Sequence, residues 1–150
     1  MPSSVKDRDR GYAALLKRFA GKSSANVTVG VHEDATYPDG TPVAENAARQ
    51  EFGLGPPRRS FLADYVDENE QKLKDDLRKI GEAVVQGKVA SIEQGLERFG
   101  LHVVGGIQQR ISDGIPPENA DSTIARKGSS TPLIESGILR TSIAHKVNKE

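Results

Sequence analysis

The sequence predicts an α+β fold in which a small antiparallel sheet packs against two longer helices, with a long extended arm near the C-terminus. Three observations predict it. Apolar residues alternate with a period of two near residue 27 and again near residue 143, they recur at helical spacing between residues 62 and 111, and residues 112–137 keep no period at all. A chain of 150 residues with 35% hydrophobic content suits one core, so residues 1–150 read as a single domain.

In residues 8–20, Tyr12, Leu15, Leu16 and Phe19 share one face with basic residues opposite, and Gly21 is a stop. This predicts an N-terminal amphipathic helix within residues 1–22. Residues 26–32, NVTVGVH, alternate Val27, Val29 and Val31 with Thr28, Gly30 and His32, as a half-buried strand does. In the Tyr-Pro-Asp-Gly turn that follows, Pro38 pre-sets the backbone and Gly40 accepts a positive φ.

Thr41 as N-cap, Pro42 in the first helical position and Gly53 after Phe52 bound a helix of about three turns. Ala44, Ala47 and Ala48 give it a narrow face, and Phe52 is its one large anchor. Pro56 and Pro57 hold the next residues extended. Ser60 then caps a helix whose Leu62, Tyr65, Val66, Asn69, Leu73, Leu77, Ile80 and Val84 keep one face. Around Gly87 a second stripe runs on, Val85, Val89, Ile92, Leu96, Phe99, Val103, Ile107 and Ile111, which suits a core stripe better than a short coiled-coil seam. Gly95, Gly100, Gly105 and Gly106 each weaken a helix by up to about 1 kcal/mol relative to Ala, so their presence predicts close packing.

From Ser112 to Gly137, two proline-bearing breaks and scattered Ile115, Ile124, Leu133 and Ile134 predict an arm that docks somewhere. The chain then reaches ILRTSIAHKV, read as a strand with Leu139, Thr141, Ile143, His145 and Val147 on one face, pairing with residues 27–32.

With 21 basic and 21 acidic residues the net charge is zero, which argues against a dedicated nucleic-acid binder. Charge is uneven locally. Lys6, Arg8, Arg10, Lys17, Arg18 and Lys22 crowd the start, while residues 61–82 are rich in carboxylates, an asymmetry suited to head-to-tail contacts. The absence of cysteine excludes disulfides, thiolate metal sites and a cysteine nucleophile. No apolar run approaches a membrane span and the start is polar, so no membrane partner is expected and synthesis in the cytoplasm is.

Catalytic readings fail on residue pattern. ARKGSST has Lys-Gly rather than Gly-Lys and lacks the earlier glycine of a phosphate loop. His32, Glu33, Asp34 and His145 offer two histidines without a spaced third ligand, short of a metal site. Asp75 and Asp76 are adjacent and point in different directions on a helix. Ser129, Ser130 and Ser136 have no nearby base. No catalytic residue, metal or cofactor is expected.

YPDGTPVAENAARQEFG, then PPRRSFL opening an acidic helix, then ARKGSSTPLIESGILRTSI resemble the virion-morphogenesis, or tail-completion and neck, proteins of tailed bacteriophages. Members of that family show a Tyr-x-Asp-Gly turn, an alanine-rich helix ending Glu-Phe-Gly, an Ile-Pro-x-Arg-Pro-Phe-Leu segment and a late Pro-Leu-x-x-(Thr/Ser)-Gly-x-Leu-x-x-Ser-Ile signature. All three blocks occur here in order, across residues 27–147; Ser60 stands where proline is usual.

The resemblance implies an α+β structural subunit of the virion neck. It would form a homo-oligomeric ring of about six or twelve copies, join a head connector or stopper to a tail terminator or tube, and let genomic DNA pass. No reaction is implied. The interface residues it suggests are Phe52, Pro56, Pro57, Phe61, Leu62, Ile124, Pro132, Leu133, Ile134 and Leu139. The alternative is a nonspecific DNA-binding protein using Arg58, Arg59, Arg126 and Lys127 against phosphates; within a ring the same four are candidate DNA-facing positions.

Overall fold

The computed structural model describes residues 10–19, 25–32, 34–118, 125 and 137–149. Among these the order is α1 (Tyr12–Phe19), β1 (Ala25–Val31), α2 (Val43–Phe52), α3 (Ala63–Val85), α4 (Ile92–Asp113), a one-turn α5 (Ile138–Thr141) and β2 (Ile143–Lys149). The fold is α+β, with a two-stranded antiparallel sheet and two long helices.

β1 and β2 pair with Val27 opposite Val147, Val29 opposite His145 and Val31 opposite Ile143. Asn26 and Thr28 are exposed while Val27, Val29 and Val31 are half-buried, as the alternation predicts, but Gly30, expected on the outward face with Thr28, is buried. The second strand is shorter than expected. Residues 138–141 form α5 instead, entered through Gly137 at φ +70°, and this turn carries Leu139 into the core. Leu139 and Ile143 are both buried, but they arrive from a helix and a strand rather than from one strand face.

α4 is the central element. Its stripe of Leu96, Val103, Ile107 and Ile111 is buried, so the heptad pattern is a core stripe and not a coiled-coil seam; Val85, assigned to the same stripe, lies outside it and is exposed. Ser91 begins α4, its Oγ accepting from the Gln94 amide (3.3 Å), while the Gln94 side chain accepts from the amide of Ala90, the residue before the cap (3.1 Å), a near relative of the capping box. The sheet lies against α4, and α3 packs on it antiparallel, with Tyr65 beside Gly106 and Ile80 beside Gly95.

Two helical glycines show why the residue type matters. A Cβ on Gly100 would fall 2.5 Å from His145 Cδ2 and 2.8 Å from His145 Cβ, so β2 sits against bare helix backbone there. A Cβ on Gly105 would meet nothing within 4 Å. The close-packing reading therefore holds for Gly95, Gly100 and Gly106, and fails for Gly105.

Other expectations shift. In α1, Tyr12 and Leu16 are 67% and 48% exposed, so these two members of the stripe are not spent on the core. In α3, Tyr65, Leu73 and Val84 are buried, but Val66 and Leu77 face solvent, because the packed face is narrower than the apolar one. Helix α4 runs to Asp113, and Ile115 beyond it is buried, so the arm starts later than residue 112 and docks at once. The rest of the arm lies outside the described residues.

Gly100→Ala is expected to lower stability by about 1–3 kcal/mol, since forcing β2 outward outweighs the gain in helix propensity. Gly105→Ala is expected to raise it by up to about 1 kcal/mol. Denaturant unfolding of the two variants checks the pair; equal shifts of the same sign would show that backbone propensity alone decides.

Candidate assembly surface

The link between α2 and α3 follows from one side chain. Val43, Ala47 and Glu51 lie four residues apart on the buried face of α2, with exposures of 0%, 5% and 6%. The buried stripe thus ends in a carboxylate. Gly53, left-handed at φ +70°, then stops the helix and turns the chain back.

The returning chain wraps that carboxylate. Glu51 Oε1 accepts from Ser60 Oγ (2.6 Å) and the Ala63 amide (2.9 Å), and Oε2 accepts from the Phe61 (2.9 Å) and Leu62 (3.1 Å) amides. Four donors fill its acceptor capacity. They include the first free amides of α3, where the helix dipole also favours negative charge. Burial pushes the Glu51 carboxyl up, but the hydrogen bonds from Ser60, Ala63, Leu62 and Phe61 outweigh it and hold its pKa below the ordinary value.

Ser60 caps α3 as the sequence suggests, but only in part and not from the N-cap position. Leu62 occupies that position without a side-chain bond of its own, and the first free amides of α3 are met by Glu51 from another helix and by Ser60 Oγ. Ser60 Oγ donates to Glu51 and accepts from the Asp64 amide at 3.1 Å, bridging the clamp to the first turn of α3. Likewise α2 begins one residue later than expected, with Pro42 rather than Thr41 in the capping position; the Thr41 amide instead donates to Asp39 Oδ1 (2.9 Å) in the turn.

Arg59 secures the ramp from the other side. Its guanidinium donates through Nε to the Pro117 carbonyl (2.8 Å), through Nη2 to the Glu118 carbonyl (3.2 Å) and through Nη1 to Gln50 Oε1 (3.3 Å). Burial lowers its pKa from the usual arginine value without discharging it. Arg59 is 6% exposed, which corrects its assignment as a DNA-facing cation: its donors are turned inward onto the chain after α4. Arg58 is exposed but ion-paired with Asp64 at 2.9 Å.

The other interface candidates divide. Phe61 and Leu139 are 0% and 2% exposed, so both are core residues rather than contact residues, corrected by the clamp and by α5 respectively. Leu62 and Pro56 are half-buried. Phe52, read as an anchor, is 68% exposed because it follows Glu51 and so points away from the buried stripe. Beside it are Leu54, 61% exposed, and exposed Pro57. Ile124, Arg126, Lys127, Pro132, Leu133 and Ile134 lie outside the described residues.

Phe52, Leu54 and Pro57 form an apolar knuckle on a base fixed by Glu51 and Arg59. The pattern reading missed Glu51, although its spacing from Val43 and Ala47 places it on the buried stripe. His145 stands opposite Val29 rather than beside His32, and its Nε2 is 2.7 Å from Glu97 Oε2. Among the described residues no group of three or more metal-type side chains gathers, and no helix is long and apolar enough to cross a membrane. Comparison with protein-family models, curated proteins and solved structures finds no match.

Because the folded pKa of Glu51 is lowered, its contribution to stability is complete above the ordinary carboxyl range and is lost as pH falls through the folded value. Glu51→Gln is expected to cost about 2–3 kcal/mol at neutral pH, since an amide nitrogen cannot accept and donors are stranded. Melting temperatures of both proteins across pH check this: the gap should narrow below about pH 4. A pH-independent gap would mean that shape, not charge, holds the clamp.

Proposed function

We propose that this chain is a non-enzymatic structural subunit of a tailed-bacteriophage virion, forming a ring in the neck or at the top of the tail. In this reading it joins a head connector or stopper to a tail terminator or tube, and genomic DNA passes through without sequence recognition. The observation that carries it is the knuckle. Two large apolar side chains, Phe52 and Leu54, stand exposed at the stop of α2, on a loop whose base is fixed by seven hydrogen bonds from or to Glu51 and Arg59.

An exposed apolar anchor on a rigid base is what a repeated head-to-tail contact needs. Such contacts close into a ring only when each copy holds one fixed angle to the next; otherwise they run on as filaments. Freely hinged anchors would also lose affinity to the entropy of ordering them. The ordered blocks at 37–53, 56–62 and 125–143 that resemble neck and tail-completion proteins supply the biological setting. Nonspecific DNA binding is the weaker reading, since Arg59 is committed inward and Arg58 is paired.

Light scattering on the purified protein across concentration and salt tests the proposal. A discrete mass of about six or twelve subunits, stable to salt, is expected. Phe52→Ser with Leu54→Ser should leave the melting temperature unchanged within about 0.5 kcal/mol of stability, because both residues are exposed, yet abolish that mass. Unaltered assembly of the double variant would remove the knuckle from the contact.

A further inference from the structure

The end of α2 away from the knuckle carries a hollow. A cavity of about 690 Å³ opens between the Tyr-Pro-Asp-Gly turn and the first turns of the helix, lined by Tyr37, Pro38, Pro42, Glu45, Asn46 and Arg49 among others. Its wall is braced. The Tyr37 hydroxyl accepts from Asn46 Nδ2 (2.8 Å), the Tyr37 amide donates to the Thr41 carbonyl (2.8 Å), and the Gly40 amide donates to the Tyr37 carbonyl (2.9 Å). The Val43 amide donates to the Ala35 carbonyl at 2.9 Å and ties the turn to the start of α2. An aromatic ring and two prolines are thus held as a fixed cup.

We propose that this cup receives the Phe52–Leu54 knuckle of the next copy around the ring. Shape is the first argument for that occupant. Pro38, Pro42, Glu45 and Arg49 are all exposed, so the cup is shallow. A free small molecule is held by burying most of its surface, whereas side chains already fixed on a rigid base need only a seat. Cavities of about 300–1,000 Å³ hold drug-sized ligands, so a phenylalanine and a leucine fit in one of this size.

Charge is the second argument. Among the lining residues Asp39 and Glu45 outnumber Arg49, so the rim of the cup is acidic. The knuckle is flanked by a cation: Arg58 stays 57% exposed although it pairs with Asp64, and a Cβ on Gly53, between Phe52 and Leu54 in the chain, would fall 3.0 Å from Arg58 Cβ. Unlike charges on the two surfaces steer them together.

Continuity is the third. Glu45, Arg49 and Phe52 follow at steps of four and three along one exposed stripe of α2, so the surface that bears the knuckle runs into the cup. Phe52 does not line its own cup. A helical side chain covers the turn just before its own Cα, and Pro42 lies about 15 Å back along the helix from Phe52. Each copy therefore offers a knuckle and a cup in fixed relation, one for each neighbour. This contact rests on the ring reading and names the surface that the knuckle meets.

Complementation between full-length chains tests it, read by light scattering. Thr41→Trp fills the cup from an exposed position, and Glu45→Arg reverses the charge of its rim. Each is expected to raise the concentration needed for assembly about tenfold or more. Both positions are exposed, and melting temperatures near that of the wild type verify the fold. Thr41→Trp keeps its knuckle, and Phe52→Ser with Leu54→Ser keeps its cup. An equimolar mixture of the two can make one contact and no second, so a mass of two copies is expected. It is sought up to about a hundredfold above the assembly concentration of the wild type, because ring closure no longer adds to affinity. Cup variants that assemble like the wild type, or a mixture that stays at one copy, would overturn the contact. Where the wild type still forms its ring, either result removes only this inference. A wild type that is monomeric at every concentration, or that stops at two copies, removes the ring reading as well.

Discussion

The geometry of this protein depends on a single carboxylate buried between two helices. Taking an ion out of water costs several kcal/mol, and a carboxylate in a core is tolerated only when its acceptor capacity is used. Glu51 meets that condition with two donors on each oxygen, three of them backbone amides whose positions are set by the start of α3. An apolar side chain could fill the same volume, but it would strand those amides and leave the crossing of α2 on α3 to packing alone. The directionality of the hydrogen bonds is what an apolar contact lacks. Phe61 is buried as a consequence, and Phe52, one residue after Glu51, is exposed as a consequence.

The second constraint is topological. An isolated two-stranded sheet is marginal in water, and here its strands lie near opposite ends of the chain, Ala25 paired with Lys149. Closing such a long loop brings little return until α4 offers a surface, so the sheet is the element that most needs the rest of the fold in place. Gly100 and His145 mark where strand meets helix backbone, and the hydrogen bond from His145 to Glu97 ties the same point at the surface. The sheet therefore joins both chain ends to the central helix, leaving α2 and the ramp free to be shaped by Glu51.

Periodicity made the strands, the two long helices and their order legible, because burial on one face writes itself into the spacing of apolar residues. The turn at Gly40 and the stop at Gly53 were legible for a similar reason, since each needs a positive φ. The capping of α3 was legible only in part. Ser60 has the residue type of a cap and does accept the Asp64 amide, but the carboxylate that accepts the Phe61, Leu62 and Ala63 amides lies nine residues earlier and in another helix. Arg59 failed in the same way, because an arginine beside prolines reads as surface until the chain after α4 is seen to return over it. α5 was hidden by ILRTSI, whose alternation imitates a strand, while Gly137 supplies the left-handed entry of a helical turn. The Glu51 and Arg59 misses concern partners distant in sequence, whereas α5 was missed because a single helical turn and a strand can share the same local spacing of apolar residues.

Net charge is zero, yet the surface is far from uniform, and that distribution bears on assembly more than the total does. Arg110 of α4 pairs with Asp64 and Glu68 in the first turns of α3, so the acidic start of that helix is largely neutralised within the subunit. Farther along the same helix pair the balance reverses: Lys72 and Lys79 both reach toward Asp76, and Arg98 and His102 line the groove between the helices, over Ile80 and Phe99. A head-to-tail contact requires two unlike surfaces on one subunit, whereas a two-fold contact requires one surface that complements itself. An apolar knuckle at one end of α2 and a cationic, apolar-floored groove along α3 and α4 are unlike in both shape and charge. Self-pairing of the groove would bring cations against cations, and a two-fold dimer through it is disfavoured on that ground. Two unlike surfaces of this kind would favour a head-to-tail contact over a two-fold one.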